Sequence, residues 1–468
     1  MVNLIYKHRL VHFDFKGAIP RISFLEKIIP LISSWGATGV LIEYEDSLPY
    51  SGNLTQLQSP YAFTVKQINQ IQSICKENNL EVIPLVQTFG HLEFVLKHDE
   101  FRHLREMDLY PNALCPFHPD ALELVLSLID SVMALHPNSN YLHIGADEVW
   151  HLGKCHKCHS EMAGRGWESS DLFLQWVSKI ALILKKKYPM ITLIMWDDMM
   201  RNCPETKLKG MFDVYSKVFD RIWAASSYKG STGSTQFIPP VQHHIDNHLT
   251  WITTLKEHQS KFKEICGIAL TGWQRYDHYA VLCELLPVAI PCLGLCLRVL
   301  KSESFLMSDH EEISQQLGFH GLINVFPFPR PQILEQEMSF PGHELYIAVQ
   351  MWSNFVYKYQ MICNSEGMLG WFSDYFRSRN FTNPAQVETI MFQLVELEGN
   401  LFELKGHMRN ILLQIFYEDT SEEWIGCFFS PLLTRIKSII NDCKLQMQIG
   451  GRTKDYKFDK VLQSENSY

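Results

Sequence analysis

The sequence predicts an α/β fold: a TIM-type (β/α)8 barrel, missing or stunted at its sixth strand, followed by an α-helical C-terminal region. Three observations predict it. Short β-rich apolar runs alternate with amphipathic stretches of helical period through the first half of the chain, which implies a parallel sheet covered by helices. Almost every run ends in residues capable of chemistry. A closed barrel gathers such residues from the C-terminal ends of all its strands, whereas an open doubly wound sheet concentrates them at one switch point. Beyond about residue 330, helical patterns replace strand patterns.

The runs, in order, are Arg9–Gly17, Gly39–Asp46, Glu81–His91, Tyr141–Glu148, Ile191–Met199, Arg221–Gly230 and Gly267–His278. Their tips carry Asp14, Glu43 to Asp46, His91, Asp147 and Glu148, Trp196 to Asp198, Tyr228 and Lys229, and Trp273 to Asp277. Helical spacing is clear at 64–79 and 121–135. The count is seven, where a (β/α)8 barrel needs eight. Only residues 201–220 separate the fifth run from the sixth, and an extra strand with its crossover needs roughly 30 residues or more. Either Met211–Tyr215 forms a stunted strand or the barrel has a gap, so 200–222 is expected to be irregular.

In the C-terminal region, Val387, Ile390, Leu394, Leu397, Leu401, Leu404, Met408, Ile411 and Ile415 form an apolar seam in alternating steps of three and four. A second helical pattern runs from Trp424 to Met447. Together they predict a helical hairpin that docks on the barrel or pairs with a second copy as a homodimer. The expected division is a barrel over 1–325, a helical region over 326–450 and a polar, disordered tail over 451–468.

Composition narrows the function classes. The net charge is −9, and the one basic cluster, Lys185-Lys186-Lys187, reads as a solvated helix end, so nucleic acid is not an expected partner. The most apolar segment, 283–300, is interrupted by Glu284, Pro287, Pro291 and Arg298, and no membrane span is expected. The N-terminal residues carry no signal-peptide pattern, which implies a cytoplasmic location with nuclear access. In that setting the 12 cysteines are expected to be reduced, and the N-x-S/T sequons at Asn53 and Asn380 are expected to be chance matches.

The sharpest local signal is His143-Ile144-Gly145-Ala146-Asp147-Glu148. Adjacent strand residues point to opposite faces, so both acids can face a barrel mouth only where the strand ends and turns. An acid pair suits glycoside hydrolysis: one carboxyl group, kept protonated by burial and a neighbouring negative charge, protonates the leaving oxygen. The same pair also suits a metal site or a plain turn. Trp196, Tyr228, Trp273 and Tyr276 offer aromatic faces for a sugar ring, beside Asp198, Arg275 and Asp277 as polar partners.

The hexapeptide resembles the H-x-G-[GA]-D-E signature of the family-20 glycoside hydrolases, the β-N-acetylhexosaminidases. The runs 41–46, 84–98, 195–199, 223–230 and 271–287 are similar to those of an intracellular-type member. The resemblance implies an exo-acting, substrate-assisted retaining enzyme that removes terminal GlcNAc or GalNAc from glycans or glycoconjugates without a metal or organic cofactor. Glu148 would be the general acid and then base, and Asp147 would orient the substrate acetamide. Asp14, His91 and His143 would lie at the barrel mouth. Trp196, Tyr228, Trp273 and Tyr276 would line it, and Asp198, Asp277 and Glu284 would contact hydroxyls. Family members carry a further strand where this chain has 210–218, so weak activity is expected, with a silent sugar-binding or scaffold protein as the alternative.

Two other motifs compete for attention. Cys155-His156-Lys157-Cys158-His159 matches a c-type haem attachment pattern, and Cys155, Cys158 and either His159 or His151 could hold zinc. Unliganded loop thiols are the expectation here, with serine tolerated at both cysteines. His243, His244 and His248 sit at helical spacing and are expected to be surface or core histidines rather than ligands.

Overall fold

A computed structural model describes residues 4–201, 212–213, 215–326 and 338–455. All seven expected runs form strands: β1 (His8–Asp14), β2 (Gly39–Glu43), β3 (Glu81–Leu85), β6 (Tyr141–His143), β7 (Thr192–Ile194), β8 (Arg221–Lys229) and β9 (Glu264–Gly272). They make one parallel sheet in the order β7-β6-β3-β2-β1-β9-β8. A short antiparallel hairpin absent from the expected elements, β4 (Arg105–Met107) and β5 (Tyr110–Leu114), interrupts the crossover from β3 to β6.

The sheet is strongly curled. β6 and β8 lie five strands apart in its order, about 24 Å if it were flat. Yet Tyr141 of β6 and Trp223 of β8 have ring centroids 5.8 Å apart, and both contact His8 of β1. A layer of Leu10, Leu41, Ile83, Leu85 and Ala269 fills the interior above these rings. Curling thus buries inward-facing residues of the central strands, as a barrel does, while β7 at the edge stays only half-buried.

The curl does not close among the described residues, where β7 and β8 remain the two edges of the sheet. Met211 and Val214, at the expected stunted strand, lie outside the described residues. Phe212, Asp213 and Tyr215 are helical, so the strand reading of this segment is corrected.

Helices α1 (Ile22–Trp35), α2 (Val65–Glu77), α3 (Glu93–Leu96), α4 (Ala121–Leu135), α5 (His156–Arg165), α6 (Ser169–Lys187), α7 (Val241–His258) and α8 (Leu286–Ser302) belong to the sheet unit. Thr64 and Gln67 form a capping box that starts α2. The apolar segment near 283–300 becomes α8, buried along almost its whole length, and no described helix is long and apolar enough to cross a membrane. In α7, His244 and His248 are core histidines, buried against the hydroxyls of Ser227 and Ser226 of β8.

The chain divides into two compact units. The first holds the sheet and also takes residues 338–343 and 414–420; the second comprises 344–413 and the residues from 421 onward. The second contains a long helix, Pro384–Ile415, and a helix over Ser430–Ile449. All nine seam positions are buried, so this apolar stripe is spent within one chain rather than offered to a second copy. At the start of the expected tail, Asp455 is hydrogen-bonded to Arg379 and Asn380. The remainder of that tail lies outside the described residues.

Candidate active site

The residues after β6 do not continue as a strand. Gly145, Ala146 and Glu148 all have positive φ, at 59°, 69° and 44°. This left-handed path turns both acids toward the C-terminal mouth of the sheet. For Ala146 and Glu148 it costs ~1–3 kcal/mol each, strain typical of functional sites. Two glycines make the path possible. A Cβ on Gly145 would meet the Gln87 side chain at 2.0 Å, and one on Gly90 would meet the Asp147 carbonyl oxygen at 2.0 Å. Asp198 steadies the turn by accepting a hydrogen bond from the Glu148 backbone N–H at 2.9 Å.

His91, itself at φ 51°, faces both acids. Its Nε2 lies 3.6 Å from Asp147 Oδ2 and 3.3 Å from Glu148 Oε2. The two acids have different surroundings: the Asp147 side chain is 16% exposed and the Glu148 side chain 52%. Burial accordingly pushes the Asp147 carboxyl up to about 6, against the opposing pull of His91. The His91 hydrogen bond holds Glu148 below the usual carboxylate range. Burial alone would lower His91, but the Glu148 hydrogen bond and the Asp147 charge prevail and raise it to about 9. The carboxyl group raised by burial is thus that of Asp147. Of the three groups, His91 is the one whose protonated form these contacts favour most.

Asp147 Oδ1 is buried without a hydrogen-bond partner, as is Asp198 Oδ1. A buried acceptor without a donor is costly, and a ligand N–H or O–H would satisfy it. His143 Nδ1 accepts the Gly145 N–H, and burial lowers the imidazole to about 3, so the ring is neutral with its proton on Nε2. That Nε2–H also lacks a partner. The His143 ring packs on Trp196 at 4.3 Å, and Trp196 reaches Trp273 at 6.5 Å. Two tryptophans from opposite ends of the sheet order therefore meet beside the acids. Tyr276 lies on the exposed rim, close enough for its charge state to be felt from Glu148.

Other expected site residues serve the framework. Tyr228 is fully buried, with its hydroxyl donating to the His12 carbonyl oxygen, so it lies beneath the mouth and is no wall of it. Asp14 accepts from the backbone N–H groups of Lys16 and Gln274 and ties β1 to the loop after β9. Glu284 is fully buried and holds the Gly230 N–H, while Asp277 caps its own turn at Tyr279 and Ala280. Asp277 and Glu284 were expected to contact sugar hydroxyls, and Asp14 to lie at the mouth. Each is engaged by loop backbone N–H groups, which need partners at strand ends, while Glu284 keeps Oε1 buried without a hydrogen-bond partner.

The sequence reading missed a buried charge network under the acids. Lys16 Nζ lies 3.1 Å from Glu45 and 3.8 Å from Asp14, His12 lies 3.2 Å from Glu43, and Gln87 donates to Glu43. Burial opposes the Lys16 charge, but Asp14, Glu45 and Glu43 overcome it and hold the ammonium protonated. The signal was present: His12, Asp14 and Lys16 alternate along one strand face. On the other flank, Asn112 of the β4–β5 hairpin accepts from the Trp150 N–H and donates to Glu93 beside His91. A separate concavity of about 480 Å³ in the helical unit, lined by Phe402, Lys405, Arg409, Glu422 and Ile425, has no comparable set of convergent acids.

The His91 contacts make a prediction. In the His91→Asn variant, loss of the cation raises both carboxyl groups, so the kcat/KM profile is expected to move ~1 unit toward alkaline pH, the low end for a neighbouring charge. Since His91 is raised from 6.5 to about 9, its contribution to stability is complete below pH 6.5 and lost as pH rises through 9. The Tm difference between wild type and variant should shrink across that window. An unmoved profile would show that His91 is electrostatically idle.

The sequence model described as the glycosyl hydrolase family 20 catalytic domain matches residues 30–230. Hexosaminidase D of Homo sapiens is 37% identical over 465 residues, covering 93% of this chain and 94% of that protein. Hexosaminidase D of Bos taurus is 41% identical over 340 residues, covering 67% of this chain and 98% of that protein. A solved beta-N-acetylhexosaminidase structure superposes with a TM-score of 0.51 at 14% identity, over 72% of this chain and 81% of that one, a likeness of fold.

Proposed function

Since the chain belongs to glycosyl hydrolase family 20 and is a glycoside hydrolase of the hexosaminidase type, we propose that it releases terminal GlcNAc or GalNAc from β-linked glycans and glycoconjugates by a substrate-assisted, retaining mechanism. The observation that carries the reading is Asp147: a buried carboxylate with one oxygen unpartnered, beside a cation and a second, more exposed acid. Its free oxygen suits the N–H of a 2-acetamido group. Accepting that bond aims the acetamide oxygen at C1, and the negative charge offsets the positive charge that develops there.

In this scheme the sugar rests against Trp196 and Trp273. Its arrival removes water from Glu148, which raises the carboxyl toward protonation and suits it to a general acid. Glu148 gives its proton to the glycosidic oxygen as the acetamide oxygen bonds to C1 and the C1–aglycone bond breaks. The resulting oxazolinium ion is opened by water, from which Glu148 takes a proton, and two inversions give net retention. Asp198 and His91 act as positioning residues for the Glu148 turn and the acid pair.

The sheet edges that β7 and β8 form among the described residues favour a second reading, in which the chain binds the sugar but turns it over slowly or not at all. Release of product from aryl 2-acetamido-2-deoxy-β-glucosides and galactosides separates the two. Acetamide-dependent turnover, modest beside that of a complete barrel, supports the enzyme; no release from either epimer, with binding retained, supports the silent protein. The cytoplasm and nucleus are the proposed place of action, supported by the unbonded thiols of Cys115, Cys155 and Cys158, which suit a reducing compartment.

A further inference from the structure

The cysteine motif that the chemistry at Asp147 and Glu148 leaves unused has two partners remote in sequence. Cys115, at the end of the β4–β5 hairpin, brings its Sγ to 3.5 Å from Cys155 Sγ and 3.4 Å from Cys158 Sγ. Glu106 of β4 places Oε2 3.1 Å from Cys158 Sγ. The four ligand atoms lie within 4.8 Å of one another. His151 and His159, the expected companions, are exposed and stand outside this group.

We propose that Glu106, Cys115, Cys155 and Cys158 form a structural zinc site that anchors the loop carrying Glu148. Three observations support it. A tetrahedral zinc with Zn–S bonds of about 2.3 Å separates its sulfurs by about 3.8 Å, so the sulfur spacing needs only a slight expansion. A disulfide needs about 2.05 Å, and any pairing among three thiols leaves one over. Glu106 is 2% exposed and no Lys, Arg or His pairs with it among the described residues. A carboxylate buried beside three thiols and no cation is unfavourable unless something positive joins it.

The supporting groups are also those a thiolate site needs. Glu106 Oε1 accepts the Cys155 N–H at 2.9 Å, fixing the carboxylate, and the Cys158 N–H donates to Cys155 Sγ at 3.2 Å. Cys155 caps the N-terminus of α5 through its Sγ, which fixes the spacing of the two motif cysteines. The consequence reaches the catalytic turn. The metal joins the hairpin to the start of α5, and the hairpin's Asn112 holds Trp150, two residues past Glu148. Both ends of the 148–155 loop are then fixed.

The test begins with wild-type protein purified without added metal. Plasma mass spectrometry is expected to find one zinc per chain, released in step with a mercurial thiol titrant. Exchange with cobalt should give sulfur-to-metal charge-transfer absorption and intense tetrahedral bands. Cys115→Ser should lose the zinc, whereas Cys75→Ser, at a buried thiol outside the cluster, should retain it. Contrary to the expectation from sequence, Cys155→Ser and Cys158→Ser should also lose zinc and lower Tm. If Cys115→Ser fails to fold, the wild-type zinc content and cobalt spectrum decide alone. Folded wild type with substoichiometric zinc, a cobalt form lacking the charge-transfer band, or full zinc in folded Cys115→Ser would each overturn the proposal.

Discussion

Glu148→Gln is expected to slow hydrolysis of substrates with poor leaving groups by ~10²–10⁴-fold, the usual loss for a positioned general acid. Activated aryl substrates should lose far less in the glycosylation step, because their leaving groups depart without a proton. The contrast separates chemistry from structural damage, which would slow both substrates alike. The Glu148 side chain is half exposed and accepts no backbone hydrogen bond that would be lost, so glutamine should fold normally. Its φ of 44° is a backbone property that the substitution leaves in place. Equal losses on both substrates, or wild-type rates on the poor one, would remove Glu148 from the role of acid.

Asp147→Asn should produce the other signature: a loss of ~10²-fold or more in kcat on both substrate types, since forming the oxazolinium precedes departure of either leaving group. Asparagine keeps the shape but replaces a charge with a dipole, and its NH2 group cannot accept the acetamide N–H. KM should change less than kcat, because the charge matters most in the transition state. The substitution also removes one of the three anions, Glu148, Asp147 and Glu93, that raise His91, whose pKa should fall, visible by NMR titration. Asp147→Asn with unaltered kcat would mean that the acetamide is oriented by something else.

The strands and the acid pair were legible in the sequence because each is encoded locally. Short β-rich apolar runs mark β1, β2 and β8, and a glycine-containing turn followed by two acids marks the tip after β6. Position beyond the strand was less legible. Tyr228 and Trp273 both follow apolar runs, but Tyr228 is turned into the core while Trp273 reaches Trp196. Which side of the chain faces the mouth depends on packing with β1 and β9, and no local pattern states it. The roles of Asp14, Asp198 and Glu284 were hidden for a related reason: their partners are backbone N–H groups of other loops. The division of charge between Asp147 and Glu148 follows from burial and from His91, more than fifty residues upstream. The cluster of Glu106, Cys115, Cys155 and Cys158 likewise needs the hairpin, whose short strands carried too little periodicity to be read.

The central claim is that the substrate's own acetamide is the nucleophile, held by Asp147. The most direct test is the rate of hydrolysis of one aryl β-hexosaminide bearing N-acetyl, N-fluoroacetyl, N-difluoroacetyl and N-trifluoroacetyl groups. Fluorine withdraws electrons from the amide oxygen and changes its size little. The account predicts that kcat falls steeply and monotonically along the series, with the β-anomer of the sugar as first product. Rates indifferent to fluorination, or an inverted first product, would contradict it.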